Sequence, residues 1–104
     1  MTTVEILRAA RELISDPARW TRGKYGATAT GNHVRGDDPQ AIRWCAYGAI
    51  EKVVGNSSWD AEMILSEAAH PHVVIHINDE LGHAAVLDLY DRAIALAEQE
   101  EAAK

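Results

Sequence analysis

The sequence predicts an all-α or mostly α protein, a single domain over residues 1–104 with four helices. Apolar residues recur at helical spacing along most of the chain. Ala is abundant, Phe is absent and apolar residues make up 47% of the chain, which favours helices with small contact residues. The exception is residues 18–37, a glycine-rich stretch without helical period. We predict a long basic loop there, with room for a small two-stranded patch.

The first helix is predicted over about residues 3–15. Thr2 and Glu5 have the spacing of a capping box, in which each side chain accepts a hydrogen bond from the other residue's backbone N–H. An apolar stripe follows on one face of the helix. Asp16-Pro17 ends it, because the residue before a proline avoids the helical conformation.

The second helix is predicted over residues 38–55, as the central and buried one. Asp38 suits the N-cap, Pro39 suits the first helical position, and Gly55 suits the left-handed residue that closes a helix. A helix that is apolar on most of its circumference packs against several neighbours. One half of this helix carries Ile42, Cys45, Ala46, Ala49, Ile50, Val53 and Val54.

Trp44 and Gly48 lie outside that apolar half, one turn apart. Together they predict a shallow groove on the second helix. Glycine allows close approach of another backbone, and we expect the basic loop to pack there through Trp20.

A third helix is predicted over residues 59–69, capped from the turn at 56–58. Residues 71–79 follow, where Val73, Ile75 and Ile77 alternate with polar residues. This period of two favours a strand, whose only candidate partner is the stretch 25–30. A helical turn is the alternative. The last helix is predicted to start between residues 79 and 84 and to end near 102.

Charge and composition exclude several classes of protein. No apolar run is long enough for a transmembrane helix, and the start of the chain lacks the basic region of a signal peptide. A single cysteine, Cys45, fits a reducing cytoplasm. The net charge of −6 disfavours nonspecific binding to nucleic acid or to an anionic membrane. Residues 17–36 carry four cations and no acid, so the remainder carries −10.

Several landmarks occur in a familiar order: Trp20-Thr21-Arg22-Gly23, then Trp44-Cys45-Ala46-Tyr47-Gly48-Ala49, then Asn78-Asp79, then residues 86–94. In these the chain resembles a family of short uncharacterised bacterial and phage-associated proteins, classed as a domain of unknown function. Members often have a Trp before the Asn-Asp pair and an Arg-Thr after the next glycine. This chain has Ile77 and His83-Ala84 there. The resemblance supports the architecture and implies no activity.

Cys45 is the sharpest candidate for catalysis, because a Cys-His-Asn hydrolase can be sketched from it with one of the five histidines. Such chemistry needs a thiolate, which a helix N-terminus or a protonated His favours. On the predicted helix Cys45 lies seven residues after Asp38 and inside the apolar half. We therefore interpret it as a small buried hydrophobe and predict no catalytic residue.

His70, His72 and His76 are the candidates for metal ligands. None of the usual zinc spacings is present, so we predict no metal and no cofactor. Asn78 and Asp79 have two interpretations that the sequence does not separate. They cap the last helix, or they face the basic loop and bind a polar ligand.

We predict a small cytoplasmic binding module, non-enzymatic, for an unknown protein or a small anionic ligand. One alternative is a Cys45-dependent hydrolase or transferase. Another is a phage or mobile-element-related inhibitor that uses an acidic surface. The sequence also allows a homodimer. The candidate binding residues are Trp20, Arg22, Lys24, Tyr25, Trp44, Asn78 and Asp79.

Overall fold

The computed structural model describes residues 1–56 and 58–103. It is mostly helical, 61%, with a small three-stranded antiparallel sheet. The described residues contain five α-helices, one more than predicted, because a short helix forms where a strand was favoured. They are α1 (Thr3–Leu13), α2 (Ala46–Val54), α3 (Trp59–Ala69), α4 (Val74–His76) and α5 (His83–Ala102). The strands are β1 (Gly26–Ala27), β2 (His33–Val34) and β3 (Arg43–Trp44).

The capping box at the start of α1 is confirmed. The Thr2 hydroxyl accepts from the Glu5 N–H at 3.1 Å, and the Glu5 carboxylate accepts from the Thr2 N–H at 2.8 Å. The helix ends at Leu13, slightly earlier than predicted. The Asp16 carboxylate then accepts from the Ala18 N–H and opens a 3₁₀ turn at Pro17–Arg19.

The basic loop contains most of the sheet. β1 is its central strand, in the order β2-β1-β3, with Gly26 opposite both Val34 and Trp44. The sequence favoured a pairing of residues 25–30 with residues 71–79 instead. Trp20 extends the β3 side by a parallel bridge to Trp44.

The predicted helix over residues 38–55 is wrong at its start and right at its end. It begins only at Ala46, because β3 occupies Arg43–Trp44 and pairs with β1. Asp38 forms a local turn instead, and its side chain accepts from the Gln40 N–H at 2.8 Å. Gly55 closes α2 in the left-handed conformation, with φ of +82°.

The strand favoured over residues 71–79 is also wrong, and the helical alternative is correct. α4 leads directly into a π-helix at Ile77–Leu81. Val74 and Ile77 are buried, whereas Val73 and Ile75 are 65% and 56% exposed. The buried positions therefore have helical spacing, and the alternation of Val73, Ile75 and Ile77 does not correspond to one face.

The third and last helices agree with the prediction. α3 has the predicted bounds, and the Ser58 hydroxyl accepts from the Ala61 N–H at its start. Ser57, in the predicted capping turn, lies outside the described residues. α5 packs against α1 and α3, and the Tyr90 hydroxyl donates to the Ala46 carbonyl at the start of α2. No helix in the described part of the chain is long and apolar enough to cross a membrane.

Candidate functional site

Asn78 is a buried polar side chain that joins three segments of the molecule. Its Oδ1 accepts from Trp20 Nε1 at 2.8 Å and from the Ala46 N–H at 3.0 Å. Its Nδ2 donates to the Thr21 carbonyl at 3.0 Å and to Asp79 Oδ1 at 2.9 Å. These four bonds use both donors and both lone pairs of the amide. Asn78 therefore ties the π-helix to the basic loop and to the first turn of α2.

Asp79 and Arg22 continue this network towards the surface. The Asp79 carboxylate accepts from the Gly23 N–H at 2.8 Å, and Arg22 Nε donates to the Asp79 carbonyl at 3.0 Å. The Arg22 guanidinium also lies over the Trp20 ring, 5.0 Å from its centroid. Neither Asn78 nor Asp79 caps the last helix, which starts at His83 with Gly82 as its N-cap and no side-chain cap. They do face the basic loop, and they bond to it directly.

Trp44, a predicted binding residue, lies on β3 and is buried at 5% exposure. Its Nε1 donates to the Gly36 carbonyl at 2.8 Å, and its own carbonyl accepts from the Thr21 N–H at 3.1 Å. It therefore fixes both ends of the basic loop from inside.

Gly48 is where the loop crosses α2 most closely. A Cβ at Gly48 would overlap the Tyr25 carbonyl oxygen and lie 2.6 Å from its carbon, so only glycine fits. Nearby, the Gly36 N–H donates to the Glu51 carboxylate at 2.9 Å. The predicted close approach at Gly48 is confirmed, although Tyr25 makes it and Trp20 contacts β3.

Tyr25 is the exposed centre of the loop, with 41% of its surface accessible. Its ring stacks on His33, with centroids 6.1 Å apart, and its N–H donates to His33 Nε2 at 3.2 Å. It lines two depressions. The larger, of about 640 Å³, also involves His33, Val34, Arg35, Glu51 and Asn56. The smaller, of about 100 Å³, also involves Gly23, Lys24, Ile75 and Asp79.

Comparison with known proteins places the whole of this arrangement inside one family. The model of a family described as "Family of unknown function (DUF6197)" matches residues 1–96. The chain belongs to that family. The match includes every residue of the network above and confirms the resemblance to a domain of unknown function. No match was found among the curated proteins or among the solved structures.

In this DUF6197 chain, some of the candidate residues predicted from the sequence lie together in the structure. Other residues of the grooves were not predicted. Trp20, Arg22, Asn78 and Asp79 form one connected network, and Tyr25 lies beside it. Lys24 contributes to the loop itself, since its Nζ donates to the Gly31 carbonyl at 2.5 Å. His33, Glu51 and Ile75 were missed as groove residues. Arg35 belongs to the cationic stretch around Tyr25 from which the sequence suggested an anion contact, but no sequence signal places the other three beside Tyr25.

The position of Cys45 differs from the prediction in a way that matters for its chemistry. It is the N-cap of α2 and half-buried, and its Sγ accepts from the Gly48 N–H at 3.3 Å. A helix N-terminus favours a thiolate, so the part of the sequence argument that rested on the distance of Cys45 from the helix start is wrong. Burial nevertheless raises the pKa of the Cys45 thiol, with Asp79 and Glu51 adding to the rise and the Gly48 and Tyr47 N–H groups opposing it. Among the described residues, no histidine is hydrogen-bonded to Sγ.

We expect slow alkylation of Cys45 by iodoacetamide in the folded protein at neutral pH. The thiolate is the reactive form and a raised pKa reduces its fraction. The labelling rate, followed by intact mass, should keep rising as the pH is raised past the usual thiol range. The same protein in denaturant is the control and should label at the rate of an ordinary thiol. Fast labelling of the folded protein at pH 7 would restore the hydrolase alternative.

The histidines do not converge. His72 and His76 stack, with ring centroids 5.3 Å apart, whereas His83 packs against Trp20 and contacts the Ile14 carbonyl. Within residues 1–56 and 58–103, no group of three or more His, Cys, Asp or Glu side chains is placed to hold a metal ion. The predicted absence of metal and cofactor stays a prediction.

Proposed function

We propose that this protein is a small non-enzymatic binding module that recognises an acidic peptide segment or a small anion through the Tyr25 groove. The Tyr25 groove is the larger depression, lined by Tyr25, His33, Val34, Arg35, Glu51 and Asn56. The observation that carries the proposal is an exposed aromatic ring beside an exposed guanidinium, both on a loop that the fold holds in place.

The loop is preorganised, which reduces the entropy cost of binding. Asn78 and Asp79 hold its start. Gly48 allows its middle to lie against α2. Glu51 and Trp44 hold its end through the backbone of Gly36. A recognition loop on a rigid scaffold is a common arrangement for binding proteins.

The groove offers two complementary kinds of contact. Tyr25 and His33 provide a stacked aromatic surface, and Tyr is enriched in protein interfaces. The Arg35 side chain is 67% exposed and pairs only with Asp37, at 3.0 Å, among the described residues. The guanidinium already contacts the Asp37 carboxylate through two nitrogens, Nε at 3.0 Å and Nη2 at 3.5 Å. Ion pairs at a protein surface are weak, so a ligand carboxylate or phosphate can compete with Asp37 for Arg35.

Two of the other loop cations have structural partners. Arg22 is held by Trp20 and the Asp79 carbonyl, and Lys24 by the Gly31 carbonyl. They contribute positive potential near the groove, which steers an anion towards it, while Arg35 makes the direct contact. The raised pKa of the Cys45 thiol disfavours the hydrolase alternative.

Titration calorimetry with a short oligoglutamate peptide and, separately, with inorganic phosphate tests this proposal. Tyr25→Ala and Arg35→Ala should each weaken binding by about tenfold, which corresponds to about 1.4 kcal/mol. Lys52→Ala is the matched control, because Lys52 is exposed on α2 and outside the groove. Peptide binding without phosphate binding assigns an acidic segment, and the reverse assigns a small anion. If neither probe binds, or if all three variants bind alike, the proposal is wrong.

A further inference from the structure

A second surface of this protein exposes large apolar side chains on α3. Trp59 is 74% exposed and Met63 is 43% exposed. They are four residues apart in the helix and so lie on one face. Exposed Trp and Met in this arrangement are costly in water, and both residue types are enriched at the buried centre of protein interfaces.

These two side chains line a groove of about 510 Å³ between α3, the start of α1 and the end of α5. We name it the Trp59 groove. Ile64 and Ala97, which are buried, also line it, and the exposed Met1 lies at its edge. It shares no lining residue with the Tyr25 groove.

The charged side chains described around the Trp59 groove are all acidic. Asp60, Glu67, Glu100 and Glu101 line it, and none of its described lining residues is basic. Trp59 and Met63 also line a neighbouring depression, and Glu62 is the acidic residue there. Burial, and to a smaller extent the charge of Glu51, raise the pKa of Glu62.

We propose that the Trp59 groove docks a cationic amphipathic helix of a partner protein. Its apolar face would cover Trp59 and Met63, and its Lys or Arg side chains would pair with the acidic rim. A helix in a groove is a recurrent mode of peptide recognition, with apolar anchors three and four residues apart. A symmetric contact between two copies of this face would place acids against acids, which is repulsive. Charge complementarity therefore assigns the groove to a basic partner.

The test uses the full chain and a synthetic peptide of about 18 residues, roughly five helical turns, with Leu on one face and Lys on the other. Binding is measured by fluorescence anisotropy of the labelled peptide. Trp59→Ala should weaken binding at least about tenfold, since an exposed Trp anchor dominates such interfaces. Val73→Ala removes another largely exposed apolar side chain, outside the groove, and should change binding less than about twofold.

Charge is tested separately. The double variant Glu67→Gln/Glu100→Gln should weaken binding and reduce its salt dependence. Asp88→Asn, exposed on α5 outside the groove, should leave both unchanged. Tyr25→Ala should also leave peptide binding unchanged, so failure of the Tyr25 proposal is distinguishable from failure of this one.

Three results would overturn the proposal. One is equal binding by Trp59→Ala and by the unmodified chain. Another is equal binding of a peptide with Glu in place of Lys. The third is a dimer in sedimentation velocity that Trp59→Ala dissolves, which would make this face a contact between copies. Because the altered side chains are exposed, circular dichroism melts of the variants should match the unmodified protein.

Discussion

Replacing Asn78 with alanine is expected to lower the free energy of unfolding by roughly 3–5 kcal/mol. The change removes four hydrogen bonds and leaves Trp20 Nε1 and the Ala46 N–H without their acceptor. Asn78 is only 1% exposed, so water does not reach these groups freely, and each unpaired buried group costs about 1–3 kcal/mol. Chemical denaturation followed by circular dichroism measures the loss.

Asn32→Ala is the matched control for that experiment. Asn32 is exposed just before β2, where its backbone carbonyl accepts from the Thr28 N–H, so its side chain should be replaceable within about 0.5 kcal/mol. Asn78→Asp is a second variant of nearly equal volume. It places a carboxylate against the Thr21 carbonyl and the Asp79 carboxylate, and should be more destabilising above the pKa of the introduced group than below it. If Asn78→Ala lowers the free energy of unfolding by less than about 1 kcal/mol, Asn78 does not hold the π-helix, the basic loop and α2 together as inferred.

Replacing Gly48 with alanine is expected to cost at least about 3 kcal/mol, although alanine favours a helix interior over glycine by about 1 kcal/mol. The added Cβ would overlap the Tyr25 carbonyl and lie 3.0 Å from the Tyr25 Cα. Backbone does not yield as a flexible side chain does. The loop must therefore move away from α2, and the Tyr25 groove should change with it. Thermal unfolding measures the cost.

Lys52→Ala, at an exposed position one turn later on α2, is the control for Gly48→Ala. It should leave the melting temperature nearly unchanged, since it only exchanges two good helix formers. Limited proteolysis adds a second measurement, because a displaced loop should be cut between residues 20 and 36. If Gly48→Ala raises the melting temperature, helix propensity outweighs the contact and the loop is not held at this point.

The sequence predicted the helices whose signals are local. The Thr2–Glu5 capping box sets the start of α1, and Ser58 caps the start of α3. Asp38-Pro39 carried an equally good local signal for a helix start. It was overridden because residues 43–44 pair with residues 26–27 across a long separation in the chain, and nothing local encodes that pairing.

The candidate site was predictable to a similar extent. The sequence singled out Trp20 and the Asn78-Asp79 pair and considered their facing the basic loop. It could not predict that Asn78 is saturated by four bonds, because burial of an amide depends on partners distant in sequence. The alternation of Val73, Ile75 and Ile77 pointed to a strand. The bonds of Asn78 and the burial of Val74 favour a helical path through the same residues.

The three tryptophans occupy three chemically different environments, which gives the protein an internal set of reporters. The indole N–H of Trp20 is bonded to Asn78, that of Trp44 to the Gly36 carbonyl, and the ring of Trp59 is mostly in solvent. In a proton–nitrogen correlation spectrum each indole N–H gives one resonance. Its hydrogen exchange with solvent depends on local opening of the structure around that tryptophan. The Trp20 signal reports docking of the loop, the Trp44 signal reports the integrity of the sheet, and the Trp59 signal reports occupancy of its groove. A single titration of unlabelled ligand into nitrogen-15-labelled protein therefore shows which surface the ligand binds.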